Sequence, residues 1–420
     1  MRAEFAAPRT QPPARDGAPA PALAGLKVVE FGAYAAGPHV GKMLATFGAT
    51  VVHVESRGRP DGFRTEYPPF LDDRPGLDRA GCFAWFNDSK CDVTLELKNP
   101  AGRAIAERLL GWADVVVENM RPGVMARLGL GYEHAASRNP GLVMLSTCNM
   151  GQTGPRAQTP GFGSQLSALA GFCGLTGAPE GPPMLLYGPY IDFIASTLGA
   201  VAVLAALDRS RASGRGAWID LAQYEAGLSF LAGPLCAWHR DGRIAERAGN
   251  RDPLAVPHDA WRCRGGWLAL SCHDDAEFER LAAAIGNPAL ASDPRFATAA
   301  ARRTHLAALD GVVAAWADAQ EAATAAAHLQ AAGVHAHVVN DVAALFADPQ
   351  LVHRRVWRRR RHGAMGLVTS YFSAFDLARC PGDVTAAAPL LGADNVYVCR
   401  ELLGMNAAEF ASSTAAGAFD

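Results

Sequence analysis

At 420 residues, half of them hydrophobic, the chain is too long for one ordinary core and reads as one large domain plus a smaller one. A formal charge of -2 and a pI near 6.6 exclude a basic surface built to wrap nucleic acid and the acidic excess of a disordered chain, which leaves small molecules and copies of the chain itself as partners. Nine cysteines, an odd number with no CxxC pair and no Cys/His cluster at zinc spacing, fit reduced thiols in a cytoplasm.

Residues 1–24, rich in Ala, Pro and Arg, lack the apolar core of a secretory signal and read as a disordered tail. Leu26 to Phe31 is a buried-strand run, Gly37 to Phe47 a helix opened by Pro38, and Thr50 to Glu55 a second strand. The pattern returns as a helix near Gly102 to Trp112, a strand Asp114 to Glu118, a short helix after Pro122 and a strand Leu142 to Ser146. Such alternation predicts a parallel sheet with helices on both faces, a Rossmann-like α/β domain over residues 25–224. A long helix from Phe193 ends at the Gly214–Gly216 turn, and its apolar stretch to Leu207 is too short to span a bilayer. Ala217 to Leu221 is a further strand, followed by a helix from Gln223. A hairpin around Gly265 and Gly266, Ala-rich helices and a strand Ala336 to Val339 mark a smaller α+β domain over residues 225–340. Residues 341–420 are expected to return to the large domain.

Several motifs lose on inspection. The first βα turn runs from Gly32 to Gly37 with no glycine between them, so the GxGxxG spacing that lets a dinucleotide pyrophosphate approach is missing, and a dehydrogenase reading falls. GPHVGKM at Gly37 is a residue short of a phosphate loop, and GFGSQ lacks the closing glycine of a nucleophile elbow. No HExxH or paired-carboxylate signature calls for a metal. The arginine run Arg354 to Arg361 reads as a solvated strand edge, with no second basic patch to make a nucleic-acid module. Asp192, placed just before the apolar helix from Phe193, reads as an N-cap, and position alone says no more.

Four segments in order resemble the class III CoA-transferases, the formyl-CoA and crotonobetaine/carnitine type. They are LKVVEFGAYAAGPHVGKMLATFGATVVHVES, ADVVVENMRPGVMARLGLGY, GQTGP at Gly151, and YIDFIASTLGAVAVLAAL followed by SGRGAWIDLAQYEA; DPQL at Asp348 and APLLG at Ala388 agree as well. The resemblance implies a CoA-transferase in which Asp192 is the nucleophile, carrying first the acyl group as an anhydride and then CoA as a thioester. It implies that Arg57, Asn119 and Arg127 hold CoA, and that Lys90 contributes a phosphate contact although Cys91 replaces the second member of the expected basic pair. CoA and acyl-CoA then enter as substrates with a carboxylic acid acceptor; no permanently bound cofactor is implied, and succinyl-CoA is an early donor to consider.

Departures shape the expectation further. No glycine-rich run lies near Asn250 to Pro257, Ala35 stands where the formyl-CoA branch has Gln, and the central loop reads Cys148, Asn149, Met150, so oxalate and formyl-CoA are poor first substrates. The related α-methylacyl-CoA racemases carry His-Asp where this chain has Phe162 and Gly163, which removes the base that α-proton transfer needs. An intramolecular transferase uses the same nucleophile and stays open. The family forms interlocked dimers and some heteromers of homologous subunits, so a homodimer, or a heteromer in which this chain is the active partner, is expected, with neither nucleic acid nor membrane involved.

Overall fold

The computed structural model describes residues 19–420, so residues 1–18 of the expected tail lie outside the described residues. β1 (Lys27–Phe31), β2 (Thr50–Glu55), β3 (Cys91–Thr94), β4 (Val115–Glu118), β5 (Val143–Cys148) and β6 (Ala217–Ala222) form one parallel sheet in the order β3-β2-β1-β4-β5-β6. Near-continuous valine runs suit these strands because the central ones are covered on both faces. Alternate side chains face opposite ways. Val29, Val52, Val116 and Met144 pack on one face with Ile105 and Leu109 of α2 (Pro100–Trp112). Val28, Val51, Val115 and Leu145 pack on the other, under Val40 and Leu44 of α1 (Ala36–Thr46). The Asn99 side chain caps α2 by accepting from the Ala101 amide (2.9 Å), with Pro100 at the first helical position.

The helices that matter for the site follow in order: α3 (Val124–Arg127), α4 (Tyr132–Arg138), α5 (Gly163–Leu169) and α6 (Tyr190–Ser213). α6 runs 24 residues, longer than the apolar stretch expected from sequence, and by length and composition it is apolar enough to cross a membrane. Here Ala195, Gly199, Val203 and Leu207 lie buried, Val203 and Leu207 within the second sheet face, while Leu198, Val201 and Leu204 are exposed along its outer side. It ends at Gly214, whose φ of 69° a side chain would resist.

The chain divides into two compact units. The first comprises the described residues up to Phe172 with Leu185–Cys236 and Gln350–Asp420; the second comprises Cys173–Met184 and Ala237–Pro349. In the second, β7 (His258–Cys263), β8 (Gly266–Ser271) and β9 (His335–Val338) make an antiparallel sheet. α7 (Asp275–Ala284), α8 (Leu306–Asp318) and α9 (Ala322–Ala331) pack on it through Phe278, Leu309 and Leu329. In the first unit, β10 (Trp357–His362) pairs with β11 (Gly366–Tyr371). The arginine run ends on β10, with Arg354 and Arg355 in the turn before it: Arg358 and Arg360 both bind Asp383 (2.7 and 2.9 Å), and Arg359 and Arg361 face solvent.

A buried ion network fastens the sheet to its covering loops. Lys90 is 1% exposed, and its ammonium donates to Glu30 of β1 (3.0 Å), Asn87 (2.8 Å) and the Pro38 carbonyl (2.7 Å). Burial pushes the Glu30 carboxyl up, but Lys90 and His53 together hold it below the ordinary range. A Cβ at Gly41 would run into the Glu30 carboxylate, so the glycine of GPHVGKM makes room for this pair, and the neighbouring Lys42 binds Asp88 (2.7 Å). Arg64, fully buried, donates to Glu55 (2.8 Å), Asp78 (2.9 Å) and Asp92 (3.3 Å). Burial and the neighbouring Glu55 raise the Asp92 carboxyl well above the ordinary carboxylate range. His53, Glu55 and Asp92 gather potential metal-ligand atoms within 4.8 Å, but the Arg64 guanidinium already occupies the cation position between the two acids. Removing one member of such a set leaves a buried charge unpaired: Lys90→Ala is expected to cost about 3–5 kcal/mol, read as a shifted denaturant midpoint, and an unshifted midpoint would show that the network contributes nothing.

Candidate active site

Asp192 is not the cap of its helix, contrary to the expectation from sequence. α6 begins at Tyr190, Pro189 occupies the cap position with no side-chain hydrogen bond, and Asp192 is the third helical residue, its amide donating to the Pro189 carbonyl (2.9 Å). The Gly188–Pro189 pair starts the helix before the aspartate is reached, because proline brings a helix-compatible φ and no amide that needs a partner. The aspartate side chain is thereby released from capping. Ile191, buried beside it, seats this turn on Leu166 and Ala170, at and just beyond α5.

No hydrogen bond reaches the Asp192 carboxylate among the described residues, and burial pushes it up to about 7. The start of α5 forms one wall. A Cβ at Gly163 would stand 2.8 Å from Asp192 Oδ2 and 3.0 Å from the Pro189 Cα, so only glycine leaves the carboxylate its place. Gly163 belongs to GFGSQ, where sequence reasoning looked for a nucleophile elbow; its use is as a slot for another residue's side chain. Beside it the Phe162 ring, 56% exposed, meets Tyr34 edge-on at 5.6 Å. On the other side Phe193 packs against His39 (5.3 Å), whose ring nitrogens contact Ser196 Oγ (2.8 Å) and the Tyr371 hydroxyl (2.5 Å). Burial, with Lys42 nearby, lowers His39 to about 4, so at neutral pH it is a neutral positioning ring.

Tyr34 lies in the β1–α1 loop, and Asn119 holds that loop. Following β4, its side chain accepts from the Ala33 amide (3.0 Å) and donates to the Ala33 carbonyl (2.8 Å). A Cβ at Gly32 would strike Asn119 Oδ1, and one at Gly37 would stand 3.1 Å from its Cγ, which explains both glycines of the turn without a dinucleotide. The Tyr34 amide donates to Asp61 (3.0 Å), fixing the loop from its far side. Arg57, exposed just beyond β2, donates through Nε to the Phe419 carbonyl (3.1 Å). Arg127 ends α3 and is exposed. A cavity of about 390 Å³ opens beside Arg127, lined by Glu118, Gly123, Ala126, Ser146, Gln152 and Trp218 among others. Burial pushes Glu118 up to about 7 against the hydrogen bonds from Ser146 and the Met120 amide. The features thus gather beyond the carboxyl ends of parallel strands, where open α/β sheets bind ligands.

The model of CoA-transferase family III matches residues 23–395. The chain belongs to CoA-transferase family III. It is 34% identical over 385 residues to the succinyl-CoA–D-citramalate CoA-transferase of Chloroflexus aurantiacus, covering 90% of this chain and 94% of that one. It is 31% identical over 389 residues to the succinyl-CoA–L-malate CoA-transferase beta subunit of the same organism, covering 91% and 94%. The crystal structure of a CaiB/BaiF family protein from Brucella suis superposes with a TM-score of 0.84 at 30% identity, over 91% of this chain and 100% of that one.

The protein is therefore an enzyme, a CoA-transferase that moves CoA from an acyl-CoA to a carboxylic acid. Of the residues singled out from sequence, Arg57, Asn119 and Arg127 follow the interior strands β2 and β4, and the β1–α1 loop links Asn119 to Phe162 beside Asp192. Lys90 does not join them. Its ammonium is buried on Glu30, Asn87 and Pro38, so a CoA phosphate reaches it only by breaking that set, and its role is to hold the sheet. Sequence reasoning passed over Glu118 and Gln152, and it met Phe162 and Gly163 only as a missing acid/base pair and an incomplete elbow, not as the wall of a slot. Gly163→Ala is expected to lower kcat roughly 10²-fold by turning the Asp192 carboxylate aside, with the melting transition kept cooperative. An unchanged kcat would show that the slot is not needed.

Proposed function

We propose that Asp192 is the nucleophile of this CoA-transferase. The observation that carries the reading is a carboxylate held in a glycine-made slot with no hydrogen bond to dissipate its charge. An Asp192 oxygen attacks the acyl carbonyl of the donor thioester; the C–S bond breaks, CoA leaves as thiolate, and an acyl-aspartyl anhydride remains. The thiolate attacks the aspartyl carbonyl, the donor acid leaves as carboxylate, and aspartyl-CoA forms. The acceptor carboxylate attacks this thioester and displaces CoA thiolate to give a second anhydride. Attack of the thiolate on the acceptor's carbonyl then releases the new acyl-CoA and restores the aspartate. Every intermediate is an activated acyl group, so the thioester energy passes on only if water stays out. The first turn of α6 favours the ionised aspartate and the nearby oxyanion.

CoA serves as substrate, without a permanently bound cofactor. Its phosphates fall to Arg57 and Arg127, whose guanidinium groups stay charged and bind phosphate bidentately, while Asn119 shapes the loop under the pantetheine arm. Succinyl-CoA is the donor to try first, because both relatives above are named for it. Racemisation is not favoured, since Phe162 and Gly163 stand where an acid/base pair would be required. The sheet is read as Rossmann-like, carried by the large domain over residues 25–224, and the enzyme as cytoplasmic. The exposed Leu198, Val201 and Leu204 along α6 support assembly into a dimer, with itself or with a homologous subunit such as the one in the malate relative. Light scattering is expected to give a dimer mass, and a monomer mass would remove that part of the reading.

The pH dependence follows from the raised carboxyl. Only ionised Asp192 attacks, so kcat/KM is expected to rise with pH through about 7 and level above it. Asp192→Asn is expected to lose turnover by on the order of 10³-fold or more. The same variant gains stability. A carboxyl whose folded pKa lies near 7 and whose unfolded value is near 3.8 binds more protons when folded, so its contribution falls as pH rises between those values. Replacement by Asn should then raise the melting temperature above pH 7 and leave it unchanged at pH 4. An equally active variant would remove Asp192 from the chemistry, and one destabilised at high pH would show that its carboxyl is not raised.

A further inference from the structure

Arg57 has a holder that the reaction does not explain. The segment Ala416–Phe419 runs along the loop after β3 and is bonded to it by successive carbonyls. Asn99 Nδ2 donates to Ala416 (2.7 Å) and Gly417 (3.2 Å), and the Glu96 amide donates to Ala418 (2.9 Å). Thr94 Oγ1 and Arg57 Nε both donate to the Phe419 carbonyl, at 3.1 Å each. Ala418 is 0% exposed and Phe419 7%, with the Phe419 ring against Phe410 (5.2 Å). The rest of the chain makes room for the segment: a Cβ at Gly102 would stand 2.9 Å from the Ala418 carbonyl, and one at Gly392 would stand 3.1 Å from Arg57 Nη2.

The bond through Nε has a particular consequence for a guanidinium. It restrains the group and leaves both terminal nitrogens without a hydrogen-bond partner among the described residues, with Nη2 lying over the space that Gly392 leaves open. A bidentate phosphate contact requires two donors presented in one plane, and an exposed arginine otherwise spends rotamer entropy to supply it. Thr94 keeps the acceptor in place, since Asn395 Nδ2 in turn donates to Thr94 Oγ1 (3.1 Å).

We propose that the Phe419 carbonyl is a positioning group for Arg57, which makes the Gly417–Phe419 segment a working part of the CoA phosphate site. The proposal rests on the reading of Arg57 as a CoA-binding residue. Both are tested by one double-mutant cycle on the full-length protein, with calorimetric titration of free CoA as the readout. A chain ended after Gly417 is expected to bind CoA about tenfold more weakly than the full chain, equivalent to about 1.4 kcal/mol. In an Arg57→Ala background the same shortening is expected to change the affinity no further. Where the shortened chain loses its cooperative melting transition, Phe419→Ala, which frees the carbonyl by removing the ring from Phe410, completes the cycle. Equal losses in both backgrounds, or no loss in either, would overturn the positioning role while leaving Arg57 in the site. An Arg57→Ala variant with undiminished CoA affinity would overturn the reading of Arg57 itself and the proposal with it.

Discussion

A carboxylate placed out of reach of any hydrogen-bond donor is the constraint on which the proposed chemistry depends. A neighbouring amide or cation would hold Asp192 and weaken it as a nucleophile. The fold leaves the carboxylate without a protein donor among the described residues by seating it in the first turn of α6, where the helix dipole favours its charge, against a glycine that offers no side chain. Buried Ile191 and the residues of α5 hold this turn in register, so the slot is set by packing.

A second level of organisation lies in the loops beyond the strands. Asn119 staples the β1–α1 loop through two hydrogen bonds, and Tyr34 of that loop carries the constraint to Phe162 beside the slot. Beneath them Glu30, Lys90, His53, Glu55, Arg64 and Asp92 bond to one another across β1, β2 and β3. A network with so many buried members is costly to break and therefore resists distortion when substrate enters and leaves.

The parallel sheet was legible in the sequence because its strands are valine-rich and separated by periodic helices. Edge strand β3 escaped because Asp92 interrupts a run of only four residues, and its carboxyl finds its partners on other elements. The start of α6 was misplaced because aspartate is a favoured cap, and that rule competed with the proline signal three residues earlier. Lys90 looked like a phosphate ligand for a related reason: sequence reports a lysine but not the buried carboxylate brought to it from residue 30. Asp192 itself was legible only as a helix start, and the motif resemblance lent it a role. Its lack of hydrogen bonds and the cleared space at Gly163 are three-dimensional facts that no spacing encodes.

The most direct test of the account is to find CoA on the protein. With an acyl-CoA donor that supports turnover, borohydride quenching should reduce the thioester at Asp192 to the corresponding alcohol, homoserine, and hydroxylamine should leave a hydroxamate at the same residue. Peptide mass spectrometry is expected to locate both products on the peptide containing Tyr190–Phe193 and to find neither in Asp192→Ala. An unmodified Asp192 under conditions of productive transfer, or an adduct on a different side chain, would contradict the central claim.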